Sequence, residues 1–257
     1  MAGAMAEELK LQIHGEPSLP TLIYFPGLHG DWTLNGRFRK NIRGRVRLVE
    51  LTYPRTLEWS LDDYAVHIEA ALAKNGINRG WLLGESFGSQ IVWCVTGRGK
   101  FQAQGIILAG GFVRHPLLWL VRLAEKIFGR VPFSLLDWGM YAFTKYARLC
   151  CPRSPETLAD NREFAARRNR LDCRAATHRL HLIAQSDPRP VASATRLPVF
   201  HICGLIDPIV FWPIVRHWLK KNCPAWRGTK VMWLADHNVL GTGSAKTATH
   251  ILSWIKP

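Results

Sequence analysis

The chain reads GWLLGESFGSQIVWCVT at residues 80–96, and this segment carries its most informative local pattern. It begins with a short apolar segment, turns through two glycines, and continues with apolar residues at helical spacing. This order predicts a buried strand, a tight turn and a helix. The turn carries the pattern G-x-S-x-G, which is a weak signal by itself because glycine and serine are common residues. Its position directly between a strand and a helix makes it informative.

The spacing of the two glycines in this turn has a steric reason. The residue at the apex of so tight a turn is strained, and the strand and helix approach each other two positions before and two positions after it. Gly84 and Gly88 occupy these positions around Ser86. The motif therefore predicts a serine hydroxyl at a helix amino terminus, where the helix dipole favours negative charge. The alternative is a plain glycine-rich turn.

Strands and helices alternate on both sides of this motif. Strands are predicted over residues 9–14, 19–25, 45–51, 80–84, 103–109, 198–203 and 230–234, and helices over 60–75, 87–96, 213–220 and 244–254. Ser60 is the predicted N-cap of the first of these helices, and Asn75 and Gly76 end it. Such an alternation indicates right-handed crossovers and a mostly parallel α/β sheet with helices on both faces.

The segment from Phe112 to Thr195 interrupts the alternation, because it has no convincing strand. We predict a helical cap (lid) insertion at residues 112–195 and a core domain formed by residues 1–111 and 196–257, with the cap over the carboxyl edge of the sheet. Aromatic side chains in the insertion suggest an apolar acyl or alcohol pocket, although the same spacing would also pack the insertion on the sheet. They are Trp119, Phe128, Phe133, Trp138, Tyr141, Phe143 and Tyr146.

A serine nucleophile needs a general base. His237 follows the last predicted strand and precedes the last helix, so its loop belongs to the same sheet edge as Ser86. Asp207 follows another predicted strand by a short loop, where a buried carboxylate would orient the imidazole and stabilise its protonated form. Two rival carboxylates exist: Asp236 adjoins the histidine in sequence, and Asp187 lies nearer the insertion.

An oxyanion-binding turn is predicted at PGLHG, residues 26–30, where a buried strand ends. The expected hydrogen-bond donors are the backbone N–H of Phe87, which follows the serine, and one N–H from this turn. We assign the second donor to Leu28, with His29 as the alternative register.

These motifs in combination resemble the α/β-hydrolase superfamily. The resemblance rests on the PGLHG turn, GESFGS at 84–89, GLIDPIV at 204–210, DHN at 236–238, and the order Ser, Asp, His along the chain. It covers nearly the whole chain apart from the insertion and implies an eight-stranded sheet with residues 112–195 as its cap. Two positions depart from the family pattern: Pro-Gly-Leu stands where many members have His-Gly-x, and Ser89 where a second glycine is frequent.

The resulting prediction is a serine hydrolase that cleaves carboxylic ester or thioester bonds through an acyl-enzyme, with no metal and no organic cofactor. The serine argues against the family's haloalkane dehalogenases and epoxide hydrolases, which use aspartate. An acyltransferase would have the same triad. A methyl esterase or thioesterase acting on an acyl carrier protein is a further alternative, and a non-catalytic binding protein of this fold is another.

The charge of the chain is strongly positive, with 34 Lys and Arg against 19 Asp and Glu, a formal net charge of +15. One stretch without acidic residues holds six of the basic ones: Arg37, Arg39, Lys40, Arg43, Arg45 and Arg47. Such a field favours an acidic partner, either a carrier protein or an anionic surface, with nucleic acid not required. The alternative is a solvated surface that keeps the protein soluble.

Targeting signals are not evident in the sequence. The first eight residues include two glutamates where a signal peptide needs a basic region, and no apolar run approaches the roughly 20 residues of a transmembrane helix. A cytoplasmic protein acting on a small-molecule ester is therefore expected. The six cysteines lack metal-ligand spacing, so most are expected to be reduced and buried.

Overall fold

A computed structural model of the chain describes residues 8–128, 162–164 and 166–255. The strands in these residues are β1 (Lys10–His14), β2 (Thr21–Phe25), β3 (Arg47–Thr52), β4 (Arg79–Glu85), β5 (Gln102–Ala109), β6 (Val199–Gly204) and β7 (Trp226–Met232). They form one sheet in the order β1-β3-β2-β4-β5-β6-β7. Only the β1–β3 pair is antiparallel. The sequence pattern predicted these seven strands, whereas the family resemblance implied eight.

The helices are α1 (Gly36–Ile42), α2 (Leu61–Lys74), α3 (Gly88–Arg98), α4 (Leu118–Phe128), α5 (Arg170–Gln185), α6 (Arg189–Ala194), α7 (Trp212–Asn222), α8 (Val239–Thr242) and α9 (Ser244–Trp254). They lie on both faces of the sheet, over two separate apolar clusters. Strand β2 shows why two clusters form: Ile23 packs in the cluster of α2, α3 and α7, and its neighbour Tyr24 in the cluster of α1 and α9. Successive strand residues point to opposite faces, so a strand covered on both sides is apolar throughout.

Helix α1 was not predicted, because it lies in the basic stretch that begins at Arg37. Its apolar residues Phe38 and Ile42 are four positions apart and are both buried. Arg39 points to the buried carboxylate of Glu50 and donates to both oxygens, at 2.7 and 3.0 Å. One residue of the predicted basic surface is therefore half-buried and paired with a buried acid.

Strand β7 begins four residues before the predicted start at 230 and ends at Met232 instead of 234. It is the last strand of the sheet, and its residues are half-buried or exposed except for the buried Met232. The apolar pair Trp233 and Leu234, which suggested a strand, lies beyond it, with 75% and 84% of each residue exposed. The predicted end of β7 at residue 234 was wrong because these apolar residues are exposed beyond the strand and do not belong to it.

The insertion is helical wherever it is described. Within residues 112–128, 162–164 and 166–195 there are helices α4, α5 and α6 and no strand, and α4 packs against α5. Trp119 on α4 is 64% exposed. Its predicted companions Phe133, Trp138, Tyr141, Phe143 and Tyr146 lie outside the described residues, as do Cys150 and Cys151. The role of residues 112–195 as a cap domain stays a prediction. The other four cysteines are free thiols, and Cys203 and Cys223 are buried.

Candidate active site

Ser86 lies at the turn between β4 and α3 with a φ of 47°, a left-handed conformation that residues other than glycine rarely adopt. The glycines of the motif lie where α3 comes closest to β4 and to β2. A Cβ atom on Gly84 would lie 2.8 Å from the Cα of Ser89, and one on Gly88 would lie 2.1 Å from the carbonyl oxygen of Phe25. Neither position has space for a side chain, which is the steric reason for the spacing of the motif.

Ser89, noted in the sequence as a departure from the family pattern, connects this turn to the loop after β5. Its hydroxyl lies 2.6 Å from the carbonyl oxygen of Ser86 and accepts the N–H of Phe112 at 3.1 Å. The Phe112 carbonyl accepts hydrogen bonds from the side chains of Gln90 and Trp93, at 3.2 and 3.1 Å. A glycine at position 89 would lack the hydroxyl bridge, and this role of Ser89 was not predicted from the sequence.

Asp207 and His237 form a hydrogen-bonded pair, with 2.8 Å between Oδ2 and Nδ1. The second carboxylate oxygen accepts the N–H groups of Ile209 and Val210, both at 2.9 Å, and the side chain is fully buried. Burial acts to raise the pKa of Asp207, but its hydrogen bonds and the neighbouring imidazole overcome that effect and hold the pKa below its usual value. The carboxylate is therefore ionised at neutral pH.

The two rival carboxylates are bonded elsewhere. Asp236 accepts the N–H of Asn238 at 2.9 Å and the hydroxyl of Thr242 at 3.0 Å, so it closes its own loop. Asp187 pairs with Arg189, whose Nε lies 2.7 Å from Oδ1. Neither carboxylate is hydrogen-bonded to the His237 ring.

The His237 ring lies against the loop that follows β5, beside the serine turn. A Cβ atom on Gly110 would lie 3.3 Å from Nδ1 of His237, and the preceding carbonyl, of Ala109, accepts the N–H of Ser86 at 3.2 Å. Among the described residues no hydrogen bond joins the Ser86 hydroxyl to His237. Catalytic hydrogen bonds are often long in ligand-free sites and tighten when substrate binds.

The pKa of His237 is raised above its usual value. Burial is the largest single effect and acts to lower it. The hydrogen bond and charge of Asp207, assisted by the charges of Glu85 and Asp236, more than offset burial. An imidazole in this setting is a stronger base than a free one.

The PGLHG turn lies directly against the serine, because a Cβ atom on Gly27 would be 3.5 Å from Cβ of Ser86. Within the part of the chain that the structure describes, the N–H groups of Phe87, Leu28 and His29 have no hydrogen-bond acceptor. All three are available to a ligand oxygen. The register of the second donor, at Leu28 or His29, therefore stays open.

Glu85, the residue before the serine, was not singled out in the sequence. It is buried at the end of β4 and accepts a short hydrogen bond from the Tyr24 hydroxyl. Burial and the Glu85 charge raise the pKa of Tyr24 well above its usual value, so the phenol stays a donor. The same negative charge acts to raise the pKa of His29 and His237. The sequence feature that could have singled out Glu85 is an acidic residue directly after the apolar run of a buried strand.

Among the described residues, no group of three or more His, Cys, Asp or Glu side chains is arranged to hold a metal ion. No helix there is long and apolar enough to cross a membrane.

Sequence comparison finds no matching family model and no matching curated protein. Comparison with solved structures finds an esterase from Exiguobacterium antarcticum with a TM-score of 0.77, 13% identity and coverage of 97% of this chain and 96% of that one. A thermophilic esterase from Thermogutta terrifontis has a TM-score of 0.73, 17% identity and coverage of 96% and 92%. The chain has the α/β-hydrolase fold.

An enol-lactonase from Burkholderia xenovorans LB400 shares this fold, with a TM-score of 0.73, 16% identity and coverage of 96% of both chains. At such identities the likeness concerns the α/β-hydrolase fold and not the reaction. The predicted fold is confirmed, and the function depends on the residues of the site itself.

Proposed function

We propose that this α/β-hydrolase-fold chain is a serine hydrolase acting on carboxylic esters or thioesters, with Ser86 as nucleophile, His237 as general base and Asp207 as the residue that orients the base. The observation that carries the proposal is the hydrogen bond between Asp207 and His237, 2.8 Å long, beside a serine in a left-handed turn. A buried acid, a base and a strained serine at one sheet edge match the requirements of nucleophilic catalysis.

In the first step the Ser86 oxygen attacks the carbonyl carbon, and its proton passes to Nε2 of His237, since Nδ1 faces Asp207. The carbonyl electron pair moves to oxygen, where the N–H of Phe87 and one N–H of the PGLHG turn stabilise the charge. Each such donor contributes about 3 kcal/mol. The tetrahedral intermediate collapses, and the leaving alcohol or thiol takes the proton from His237.

In the second step His237 removes a proton from water, which attacks the acyl carbonyl. The second tetrahedral intermediate then collapses: its bond to the Ser86 oxygen breaks, the acid leaves, and the Ser86 oxygen takes the proton back from His237. The raised pKa of His237 favours proton acceptance in both steps. Asp207 stays ionised throughout and stabilises the imidazolium.

The surroundings of the site favour a substrate with an apolar acyl or alcohol part. Exposed apolar residues lie on the two loops that carry Asp207 and His237. A hydrogen bond joins these loops, from the N–H of Ile206 to the carbonyl oxygen of Ala235 at 3.1 Å. These residues are Leu205, Ile206, Ile209, Phe211, Trp233 and Leu234. Burying such side chains against an apolar substrate would contribute about 25 cal/mol for each Å². We extend the proposal to residues 112–195 as a cap over this edge.

Nothing in the described residues favours acyl transfer to another alcohol, an acyl-carrier-protein substrate or a binding role without catalysis. These alternatives, the acidic partner and the cytoplasmic location stay predictions.

Labelling with a fluorophosphonate probe tests the proposal. We expect the folded wild type to be labelled and Ser86→Ala to remain unlabelled, with Ser253→Ala, a change of an exposed serine on α9, labelled like wild type. Absence of labelling in the folded wild type would overturn the proposal. A series of nitrophenyl esters of increasing acyl length then measures the apolar preference.

A further inference from the structure

Arg179 of α5 is a buried cation in the insertion, only 2% exposed. Its guanidinium donates to the carbonyl oxygens of Leu28 at 2.7 Å and Pro54 at 3.1 Å, and to the Tyr64 hydroxyl at 3.4 Å. It also lies 5.5 Å from the centre of the Tyr53 ring. Among the described residues no carboxylate pairs with it. Burying a guanidinium among neutral groups costs desolvation free energy, so packing alone does not account for an arginine at this position.

The turn that Arg179 contacts has its three central peptides fixed one after another through their carbonyl oxygens. The Gly27 carbonyl accepts the N–H of Gly30 at 3.0 Å, and the Leu28 carbonyl accepts Arg179. The His29 carbonyl accepts Nη1 of Arg168 at 3.0 Å. In a trans peptide the N–H points opposite to the C=O, so a fixed carbonyl also fixes the N–H of the next residue.

This geometry determines both candidates for the second oxyanion donor. The peptide between Gly27 and Leu28 carries the Leu28 N–H, and its carbonyl is held within the turn. The peptide between Leu28 and His29 carries the His29 N–H, and its carbonyl is held by Arg179. A cation on the carbonyl also polarises that peptide and makes its N–H a stronger donor.

Gly30 provides the space for the guanidinium. Its φ is +81°, and a Cβ atom at this position would lie 2.5 Å from Nη1 of Arg179. Arg168, the other arginine that donates to a carbonyl of the turn, has carboxylate oxygens of Asp31 and Asp172 at 2.5 and 3.6 Å, and they neutralise its charge. Of the two arginines, Arg179 is therefore the one whose charge no carboxylate among the described residues neutralises.

We propose that Arg179 is a positioning residue for the oxyanion site, acting through the peptide between Leu28 and His29, and that the N–H of His29 is therefore the second oxyanion donor. The inference rests on the proposed function. It also gives the insertion a part in the reaction, because α5 holds the turn from outside the core domain. Loss of Arg179 frees the peptide to rotate and removes its polarisation. The transition state, which carries the oxyanion, then loses more stabilisation than the bound substrate does.

The test compares Arg179→Met, Arg179→Lys and the control Arg98→Met, in which an arginine paired with Asp62 and Glu69 is removed. Circular dichroism and urea unfolding confirm folding. The readouts are kcat and KM for a nitrophenyl ester, affinity for a trifluoromethyl ketone that forms an oxyanion on the serine, and affinity for a neutral alcohol product.

For Arg179→Met we expect kcat and ketone affinity to fall together by about 100-fold, as for loss of an oxyanion donor, with KM and alcohol affinity nearly unchanged. Arg179→Lys, which keeps the charge, should recover part of the loss, and Arg98→Met should behave as wild type. A folded Arg179→Met protein with wild-type kcat and ketone affinity would overturn the inference, as would a change confined to KM.

If Arg179→Met does not fold, Arg179→Lys and Gly30→Ala, whose methyl group would displace the guanidinium, keep the inference falsifiable. Wild-type kcat in a folded Gly30→Ala protein would then contradict it. A wild-type protein that neither hydrolyses esters nor takes up the probe would instead contradict the proposed function, so the two failures are distinguishable.

Discussion

Oδ2 of Asp207 lies 2.8 Å from Nδ1 of His237, although the residues are 30 positions apart and belong to loops after different strands. Parallel strands β6 and β7 bring the loops together, because they are neighbours and their carboxyl ends share one sheet edge. Two backbone N–H groups of its own loop hold the Asp207 carboxylate in place, and the fixed carboxylate in turn orients the His237 ring. This pair is the structural basis for assigning the acid and the base.

Replacing the acid should abolish most of the activity. We expect Asp207→Asn to lower kcat by about 10⁴-fold, because an amide in this position favours the wrong imidazole tautomer. Steady-state kinetics with a nitrophenyl ester provide the measurement. The control is Asp187→Asn, which removes a rival carboxylate already paired with Arg189. The assignment is wrong if Asp187→Asn inactivates the enzyme and Asp207→Asn does not.

The pH dependence should reveal the raised pKa of His237. Acylation needs the neutral imidazole, so kcat/KM falls as the pH drops through the pKa of the free enzyme. We expect this acidic limb above pH 6.5, the usual value for histidine. Glu85→Gln, which removes a charge that raises this pKa, should move the limb to lower pH. A limb below that value, or one that does not respond to the Glu85 change, would contradict the electrostatic picture.

His201 should make the fold sensitive to acid. It is buried in β6 with its Nδ1 at 3.1 Å from the Thr229 hydroxyl, and burial lowers its pKa from 6.5 to about 4. Between these values the unfolded chain takes up a proton that the folded chain does not, so stability is retained above pH 6.5 and lost as the pH falls. The loss attributable to His201 is about 2 kcal/mol at pH 5.

Urea unfolding at pH 7.5 and pH 5 measures this sensitivity. His201→Gln should lose less stability between the two pH values than wild type, by about 2 kcal/mol. Equal losses in the two proteins would exclude the histidine as the cause.

The serine turn should not tolerate a methyl group at Gly88. A Cβ atom there would lie 2.1 Å from the carbonyl oxygen of Phe25, so β2 and α3 must separate to accommodate it. We expect Gly88→Ala to lower the free energy of unfolding by roughly 3 kcal/mol or more, in the upper range for single substitutions. Gly44→Ala is the control, since its φ of +71° is unfavourable for alanine but nothing lies within 4 Å. It should cost only about 1–2 kcal/mol. Similar losses for both variants would refute the steric account.

Local signals predicted much of the fold. Helix α9 has its predicted bounds, and α2 begins directly after Ser60, whose side chain accepts the N–H of Asp63 as expected of an N-cap. The pairing of Asp207 with His237 was also expected, since each follows a strand and such loops meet at one sheet edge. Signals of this kind depend on a few neighbouring residues and on general rules of α/β topology.

Features that depend on contacts between residues far apart in the chain were not predicted from the sequence. The apolar face of α1 was hidden among basic residues, one of which, Arg39, pairs with a buried glutamate in β3. Arg179 contacts a turn 151 positions away, and no local pattern marks it. The choice between Leu28 and His29 as donor is of the same kind, since the peptide that carries the His29 N–H is held by Arg179 and not by a residue of the turn.

Trapping the acyl-enzyme identifies the nucleophile. The protein is mixed with an excess of nitrophenyl ester and quenched in acid within the first turnover, and intact mass and peptide mapping then locate the acyl group. We expect one acyl group on Ser86 in the wild type and none in Ser86→Ala. An acyl group on another residue, or ester hydrolysis that persists in the Ser86→Ala protein, would contradict it.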